Sequence, residues 1–216
     1  MILNNKVAFV TGGSRGIGKE ISLALAKAGA KVLFTYNANK ESADNVVSKI
    51  KALGGDALAK SMDVRNRSDV QHALQECIKY YNKIDILVNC AGINNPTDFD
   101  KVTDAEWDEI LDVNLKGTFI CSQEALPLLK KNKGGSIINI GSVSGQYGGP
   151  RTPHYAASKA GVISLSQVIA RFGAKDKIRC NTLSAGLIQS EMAKEGLQSN
   201  AVKKASESII LGRLGN

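Results

Sequence analysis

Tyr155 and Lys159 stand four residues apart in the run Pro153-His154-Tyr155-Ala156-Ala157-Ser158-Lys159. On a helix that spacing puts both side chains on one face, one turn apart. A phenol is a poor acid at neutral pH, with an ordinary pKa of about 10. A nearby ammonium favours the phenolate and brings the tyrosine toward acid–base chemistry. The pair alone says little, because Y-x-x-x-K arises by chance in many helices. It gains weight from Ser142, thirteen residues upstream of the tyrosine in Gly141-Ser142-Val143-Ser144-Gly145. A serine at the carboxyl end of a strand faces the ligand crevice of an α/β sheet, where its hydroxyl could donate to a substrate oxygen; taken alone it is a turn serine.

A second group of residues could hold phosphate. The run Thr11-Gly12-Gly13-Ser14-Arg15-Gly16-Ile17-Gly18 follows a strand-like segment and opens a helical one. Gly12 permits the tight turn, Gly16 lets a pyrophosphate approach the backbone at the helix N-terminus, and Gly18 allows close helix–strand packing. The spacing is G-x-x-x-G-x-G instead of the commoner G-x-G-x-x-G. A dinucleotide site selective for NAD usually carries an acidic residue at the end of the second strand. Here that strand ends Phe34-Thr35-Tyr36-Asn37, without Asp or Glu, while Arg15 lies in the glycine loop and Lys40 follows the strand. A missing carboxylate beside a cation favours a 2′-phosphate, so the expected cofactor is NADP(H), with NAD(H) the second choice.

Further candidates fall at later strand ends. Asp63-Val64 closes the third strand, where the carboxylate could accept from an adenine amine or cap the next helix. Asn89-Cys90-Ala91-Gly92 ends the fourth. Small residues at Ala91 and Gly92 leave room for a ribose and nicotinamide, and Asn89 could tie adjacent strand ends together. Asn114, in Asp112-Val113-Asn114-Leu115-Lys116-Gly117, is a mediocre helix former close to a worse one, Gly117. It reads as a surface residue or as the holder of a helix kink and a water.

The elements that must position these groups alternate along the chain. Val7 to Val10, Lys31 to Tyr36, Ala57 to Met62, Ile84 to Val88, Ser136 to Ile140 and Ile178 to Leu183 read as short buried strands. Helical patterns lie between them at 16–29, 40–53, 67–81, 104–131 and 154–174. The expected fold class is α/β, a doubly wound parallel sheet of Rossmann type in a single domain over 1–216. Ligands then bind at the carboxyl ends of the strands. Beyond Ala185 the pattern turns irregular, and 186–210 reads as a substrate lid.

Composition narrows the classes. A chain of 216 residues, 43% hydrophobic and 22% charged, suits one globular domain. No apolar stretch reaches membrane-spanning length. No basic segment followed by an apolar one opens the chain, so a cytoplasmic location is expected. Cys77, Cys90, Cys121 and Cys180 are scattered and His72 and His154 are the sole histidines, so no metal is expected. The net charge of +8 is spread along the chain. It reads as a solvated surface or as attraction for phosphate-bearing or acidic partners, with no nucleic acid indicated.

Jointly the motifs resemble the short-chain dehydrogenase/reductase family, over essentially the whole chain. T-G-x-x-x-G-x-G, N-x-A-G, the helix Asn, the strand-five Ser and Y-x-x-x-K stand in the family's order and at its spacings. Within it the chain looks most like the β-ketoacyl-acyl carrier protein reductases and their sugar- and alcohol-reducing relatives. The resemblance implies a catalytic tetrad of Asn114, Ser142, Tyr155 and Lys159, with Tyr155 as proton donor and Asn114 holding a water that relays protons to Lys159. It implies cofactor contacts from Gly12, Ser14, Arg15, Gly16, Ile17, Gly18, Tyr36, Asn37, Asp63, Val64, Asn89, Ala91, Gly92, Tyr155, Lys159, Gly186, Ile188 and Ser190. It also implies a carbonyl substrate, free or carrier-bound, a homo-oligomer (tetramer or dimer), and an acidic acyl carrier facing the basic cluster Lys130, Lys131 and Lys133. Three departures stand out: Ala185-Gly186 replaces the usual Pro-Gly, Phe172 stands where relatives often place an acid, and the usual last helix and strand are absent from the sequence. A dinucleotide-binding protein without turnover is the rival from another class.

Overall fold

The computed structural model describes residues 1–149, 151–188 and 209–215. Six strands, β1 (Val7–Thr11), β2 (Lys31–Tyr36), β3 (Ala57–Ser61), β4 (Ile86–Asn89), β5 (Gly135–Ser142) and β6 (Ile178–Ala185), form one sheet in the order β3-β2-β1-β4-β5-β6. Every pair is parallel. The order steps outward from β1 toward β3, then restarts at β4 on the other side. That reversal opens a crevice at the carboxyl ends of β1 and β4.

The inner strands are apolar on both faces because both are covered, whereas the edge strand β6 alternates buried and exposed residues. All five residues of β1 are buried, and alternate side chains feed two separate cores. Phe9, Leu33, Leu87 and Ile137 pack with Leu74 of α3 (Arg67–Tyr81), Leu129 of α5 (Gly117–Lys131) and Ile169 of α7 (Pro153–Gly173). On the opposite face Val10, Val32, Phe34 and Val88 pack with Ala26 of α1 (Gly16–Lys27) and with Val46 and Ile50 of α2 (Lys40–Ala52).

Local chemistry sets the helix starts. Asn39 caps α2 by accepting from Ser42 N, and Asn66 caps α3 by accepting from Ser68 N. Thr103 forms a capping box with Glu106 at the head of α4 (Asp104–Leu111). The segment expected as one helix over 104–131 is in fact two, α4 and α5, joined by a π-helical turn at Asp112–Lys116. The extra residue of the π turn swings Asn114 inward, where it is fully buried. A short helix, α6 (Ser144–Tyr147), follows β5. Sequence periodicity gave no sign of it, since four residues are too few to show a period.

Candidate active site

A crevice of about 610 Å³ runs along the carboxyl ends of the strands, within the range of small-molecule sites. At its phosphate end the glycine loop enters α1. A side chain on Gly18 would strike the Gly12 carbonyl, so the helix meets the turn closely only because position 18 is glycine. Gly16, at φ 49, has open space where its Cβ would stand. That gap leaves the backbone at the N-terminus of α1 open to an anion. Ser14, Arg15 and Ile17 line the same stretch. Arg15 has no carboxylate partner among the described residues, whereas Lys40, the other cation weighed for the 2′-phosphate, is bound to Asp44 at 2.6 Å and does not line the crevice.

At the adenosine end, Tyr36 at the close of β2 and Asn37 after it line the crevice together with Asp63 and Val64 beyond β3. Asp63 is not the cap of α3, a position Asn66 fills. Its carboxylate instead accepts from the Arg65 main chain at 2.9 Å and from the guanidinium at 2.6–3.0 Å. Arg65 holds that carboxyl below the usual range against the opposing effect of partial burial. Much of its accepting capacity is therefore already used within the protein. Arg65 lines the crevice too and was not among the expected contacts. A basic residue two positions after the strand-end Asp was the available signal.

Ala91 and Gly92 line the middle of the crevice, but Asn89, expected as a cofactor contact, lies behind it. Its Nδ2 donates to Ser122 Oγ at 2.9 Å and to Asn139 Oδ1 at 2.8 Å, tying β4 to α5 and β5. Asn114 likewise works from behind. Its Oδ1 accepts from Ile93 N at 2.8 Å, and its Nδ2 donates to Ile93 O at 2.9 Å and to Ser158 Oγ at 3.1 Å. It is thus a brace between the loop after β4 and α7, not a surface residue. A Cβ on Gly92 would lie 3.1 Å from Asn114 Oδ1 and 3.6 Å from Lys159 Nζ, so the two groups flank one point.

Ser142, Tyr155 and Lys159 share the far end of the crevice. Ser142 closes β5, and its Oγ accepts from Ser144 N at 3.1 Å. Lys159 Nζ donates to Ile140 O at 2.7 Å and sits 5.7 Å from the centre of the Tyr155 ring. Burial pushes the Tyr155 phenol above its ordinary pKa, and the adjacent Ser142 hydroxyl pulls it part of the way back. Burial also lowers Lys159 from 10.5 to about 8. A phenol held neutral, beside a serine hydroxyl and one helical turn from a buried amine, can give a proton to an oxyanion formed beside Ser142. Gly186 and Ile188 close this end, while Ser190 and most of the expected lid at 186–210 lie outside the described residues.

The family described as short chain dehydrogenase matches residues 6–201. The chain belongs to the short chain dehydrogenase family. It is similar to the 3-oxoacyl-(acyl-carrier-protein) reductase FabG of Staphylococcus aureus, 39% identical over 210 residues that cover 97% of this chain and 85% of the relative. The 3-oxoacyl-(acyl-carrier-protein) reductase of Synechocystis sp. is 40% identical over 190 residues, 88% of this chain and 77% of that protein. A dehydrogenase/reductase from Sinorhizobium meliloti 1021 superposes with a TM-score of 0.92 at 34% identity, covering 99% of this chain and 84% of that structure. Short chain dehydrogenases bind a nicotinamide dinucleotide, and the open backbone at Gly16 with the small residues Ala91 and Gly92 fits one. The crevice residues that sequence reasoning missed include Arg65, Asn94, Asn95, Glu109, Ser144, Arg151 and Thr152. Among the described residues, no three His, Cys, Asp or Glu side chains are grouped as metal ligands, and no helix is long and apolar enough to cross a membrane.

Proposed function

We propose that this short chain dehydrogenase is an NADP(H)-dependent carbonyl reductase, with 3-oxoacyl thioesters, free or on an acyl carrier protein, as its substrates. The observation that carries the reading is the juxtaposition of Ser142, Tyr155 and Lys159 at the end of a crevice headed by the glycine loop. The bound cofactor supplies a hydride to the carbonyl carbon. Ser142 Oγ positions the carbonyl oxygen. The Tyr155 phenol gives its proton to that oxygen as negative charge develops, and Lys159 holds the ribose hydroxyls and replenishes the phenol. Asn114 keeps the Ile93 loop and α7 in register so that Lys159 stays in place.

Arg15, without a carboxylate partner among the described residues and beside a strand end that lacks an acid, supports NADP(H) over NAD(H). The thioester reading is supported by the two reductases above, while the basic cluster adds nothing to it within one chain. Lys130, Lys131 and Lys133 sit at the end of α5 and in the turn before β5. That is the amino end of a strand whose carboxyl end carries Ser142, roughly 25 Å away for eight residues. Lys130 is moreover paired with Asp176 at 3.4 Å. A keto sugar or small ketone is the second reading, kept open by the polar character of the substrate end.

The test is NADPH and NADH oxidation with a panel of 3-oxoacyl thioesters, ketones and keto sugars. Turnover of a 3-oxoacyl thioester with NADPH preferred is the expected result, and turnover of keto sugars or ketones alone sinks the substrate assignment. Fluorescence titration of Arg15→Ala should weaken NADPH roughly 10–100-fold and NADH far less, because a charge-assisted hydrogen bond is worth about 1.5–3 kcal/mol. Equal losses would remove Arg15 from that role.

A further inference from the structure

Glu106 is the third residue of α4, where a capping box asks one thing of it: a side-chain oxygen for the Thr103 N–H. Its Oε2 meets that need at 3.2 Å, and Thr103 Oγ1 in return accepts from Glu106 N at 3.2 Å. The cap makes no demand on Oε1, which turns to the loop after β4. Asn95 Nδ2 donates to it at 2.7 Å, and the Thr97 hydroxyl lies 3.3 Å away. These hydrogen bonds, that of the Thr103 main chain first, hold the carboxyl below its ordinary pKa, so at neutral pH both oxygens are acceptors. One carboxylate thus caps a helix with one oxygen and holds a loop with the other.

That loop is a wall of the crevice, to which Ile93, Asn94, Asn95 and Pro96 contribute. It is moored at both ends. Ile93 is bound through its N–H and its carbonyl to Asn114, at 2.8 and 2.9 Å. At the other end Thr97 N donates to Arg151 O at 2.8 Å, and Arg151 Nε donates to Asp98 Oδ1 at 2.7 Å. Arg151 lines the crevice too and stands two residues before α7, whose first turn carries Tyr155. The wall is therefore at the Tyr155 end, tied to the helix that bears the proton donor. Between the moorings, Glu106 is the one side chain from outside the loop that bonds Asn95 or Thr97 among the described residues.

We propose that Glu106 is a positioning residue for carbonyl reduction, fixing the middle of the crevice wall at Asn95 and Thr97 so that the substrate is held against Ser142 and Tyr155. The inference rests on the reading of the crevice in the preceding subsection. Glu106 does not itself line the crevice, so it acts through the loop it holds. The glycine loop, Ala91 and Gly92 have no bond to it, and cofactor affinity is spared when it is lost. A substrate against a loose wall is bound and oriented less well, and misplacement is costly because reaction needs the atoms aligned.

The experiment measures kcat and KM for the 3-oxobutanoyl thioester of N-acetylcysteamine, NADPH affinity, and amide hydrogen exchange at Ile93 and Thr97. Glu106→Ala should raise KM about three- to tenfold, lower kcat less, and leave NADPH affinity within about twofold. The Thr97 N–H should exchange about tenfold faster while that of Ile93, held by Asn114, keeps the parent rate. Thr103→Ala weakens the same cap but keeps the Glu106 carboxylate, so it should lower the thermal midpoint and move neither KM nor Thr97 exchange. Glu106→Ala combined with Asn95→Ala should have a KM no worse than Glu106→Ala alone, because both remove one link. An equal rise in KM for Thr103→Ala would reduce Glu106 to a helix cap and overturn the proposal. Additive losses in the double variant would overturn it too, since Asn95 would then act without Glu106, as would an unchanged KM or unchanged Thr97 exchange in Glu106→Ala. A parent that reduces no 3-oxoacyl thioester defeats the substrate reading by itself. The KM for the ketone or keto sugar it does reduce, with exchange at Thr97, then decides the role of Glu106.

Discussion

Asp85 and Lys159 are both charged residues inside the protein, 6% and 5% exposed, at opposite ends of the sheet. Asp85 precedes β4 at the amino ends. Its carboxylate accepts from Val7 N at 2.9 Å, Asn132 Nδ2 at 3.0 Å, and Lys6 and Lys83 Nζ at 3.2 Å each. Lys159, near the carboxyl ends, has a single carbonyl and no carboxylate partner among the described residues. The phenol beside it is raised by burial, and two residues lining the same crevice, Asn94 and Thr152, carry unsatisfied polar atoms. One end of the sheet completes its hydrogen bonding within the protein, and the other withholds it. The difference separates a region that holds the strands together from a region prepared for a ligand to complete.

The largest effect belongs to the incomplete end. Tyr155→Phe should lower kcat by about 10²–10⁴-fold, the usual weight of a positioned acid or base, while cofactor affinity stays within a few fold. The thermal midpoint should hardly move, because the phenolic oxygen serves the reaction and not the fold. A Phe variant with more than a tenth of the parent rate would take Tyr155 out of its role and blur the contrast between the two ends.

The complete end should respond in the opposite way. Asp85→Ala strands the Val7 N–H and the Asn132 amide, and should cost about 2–3 kcal/mol of stability with little change in kcat per folded molecule. Burial alone would raise the Asp85 carboxyl, but the Val7 N–H, the Asn132 amide and the two lysines outweigh it and hold the pKa below the ordinary carboxylate value. A depressed folded pKa contributes stability above the unfolded value and loses it as pH falls through the folded one. Urea unfolding should show the gap between parent and variant closing below about pH 4. A variant as stable as the parent at pH 7 would mean that Asp85 does not clamp the strands.

The two ends also differ in how far they could be read from sequence. The sheet and its helices were legible because burial on both faces forces long apolar runs and capping residues mark helix starts. β2 and α3 occupy the expected residues, 31–36 and 67–81. The site was legible where a motif implies its own backbone, as in the glycine loop and Tyr155–Lys159. It was not legible where a side chain's direction depends on distant packing. Asn114 and Gly117 flagged a weak point in the helix over 104–131, but only the π turn shows that Asn114 points inward to Ile93. Thr152 was not among the expected site residues, because a hydroxyl that fails to cap leaves no trace in the sequence.

Lys159 offers the smallest and sharpest test, since it sets catalytic use against stability in one side chain. Its lowered pKa comes from burial, so the folded protein bears the cost of a charge it does not neutralise. Each pKa unit is worth about 1.4 kcal/mol, and a drop from 10.5 to about 8 corresponds to roughly 3 kcal/mol when the amine is charged in both folded and unfolded states. Lys159→Met removes the charge, keeps most of the stem and should raise stability by about 1–3 kcal/mol at pH 7. The sign with pH follows from the same values. Below pH 8 the amine is protonated in both states and the burial cost is felt in full. Between pH 8 and 10.5 the unfolded chain binds the proton more tightly than the folded one, so the parent gains stability as pH rises. The advantage of the variant should therefore be largest below pH 8 and shrink steadily toward pH 10 in chemical denaturation. A variant less stable than the parent at neutral pH would mean that the bond to Ile140 outweighs the buried charge. Lys159 would then belong with Asp85 among the groups that hold the sheet together.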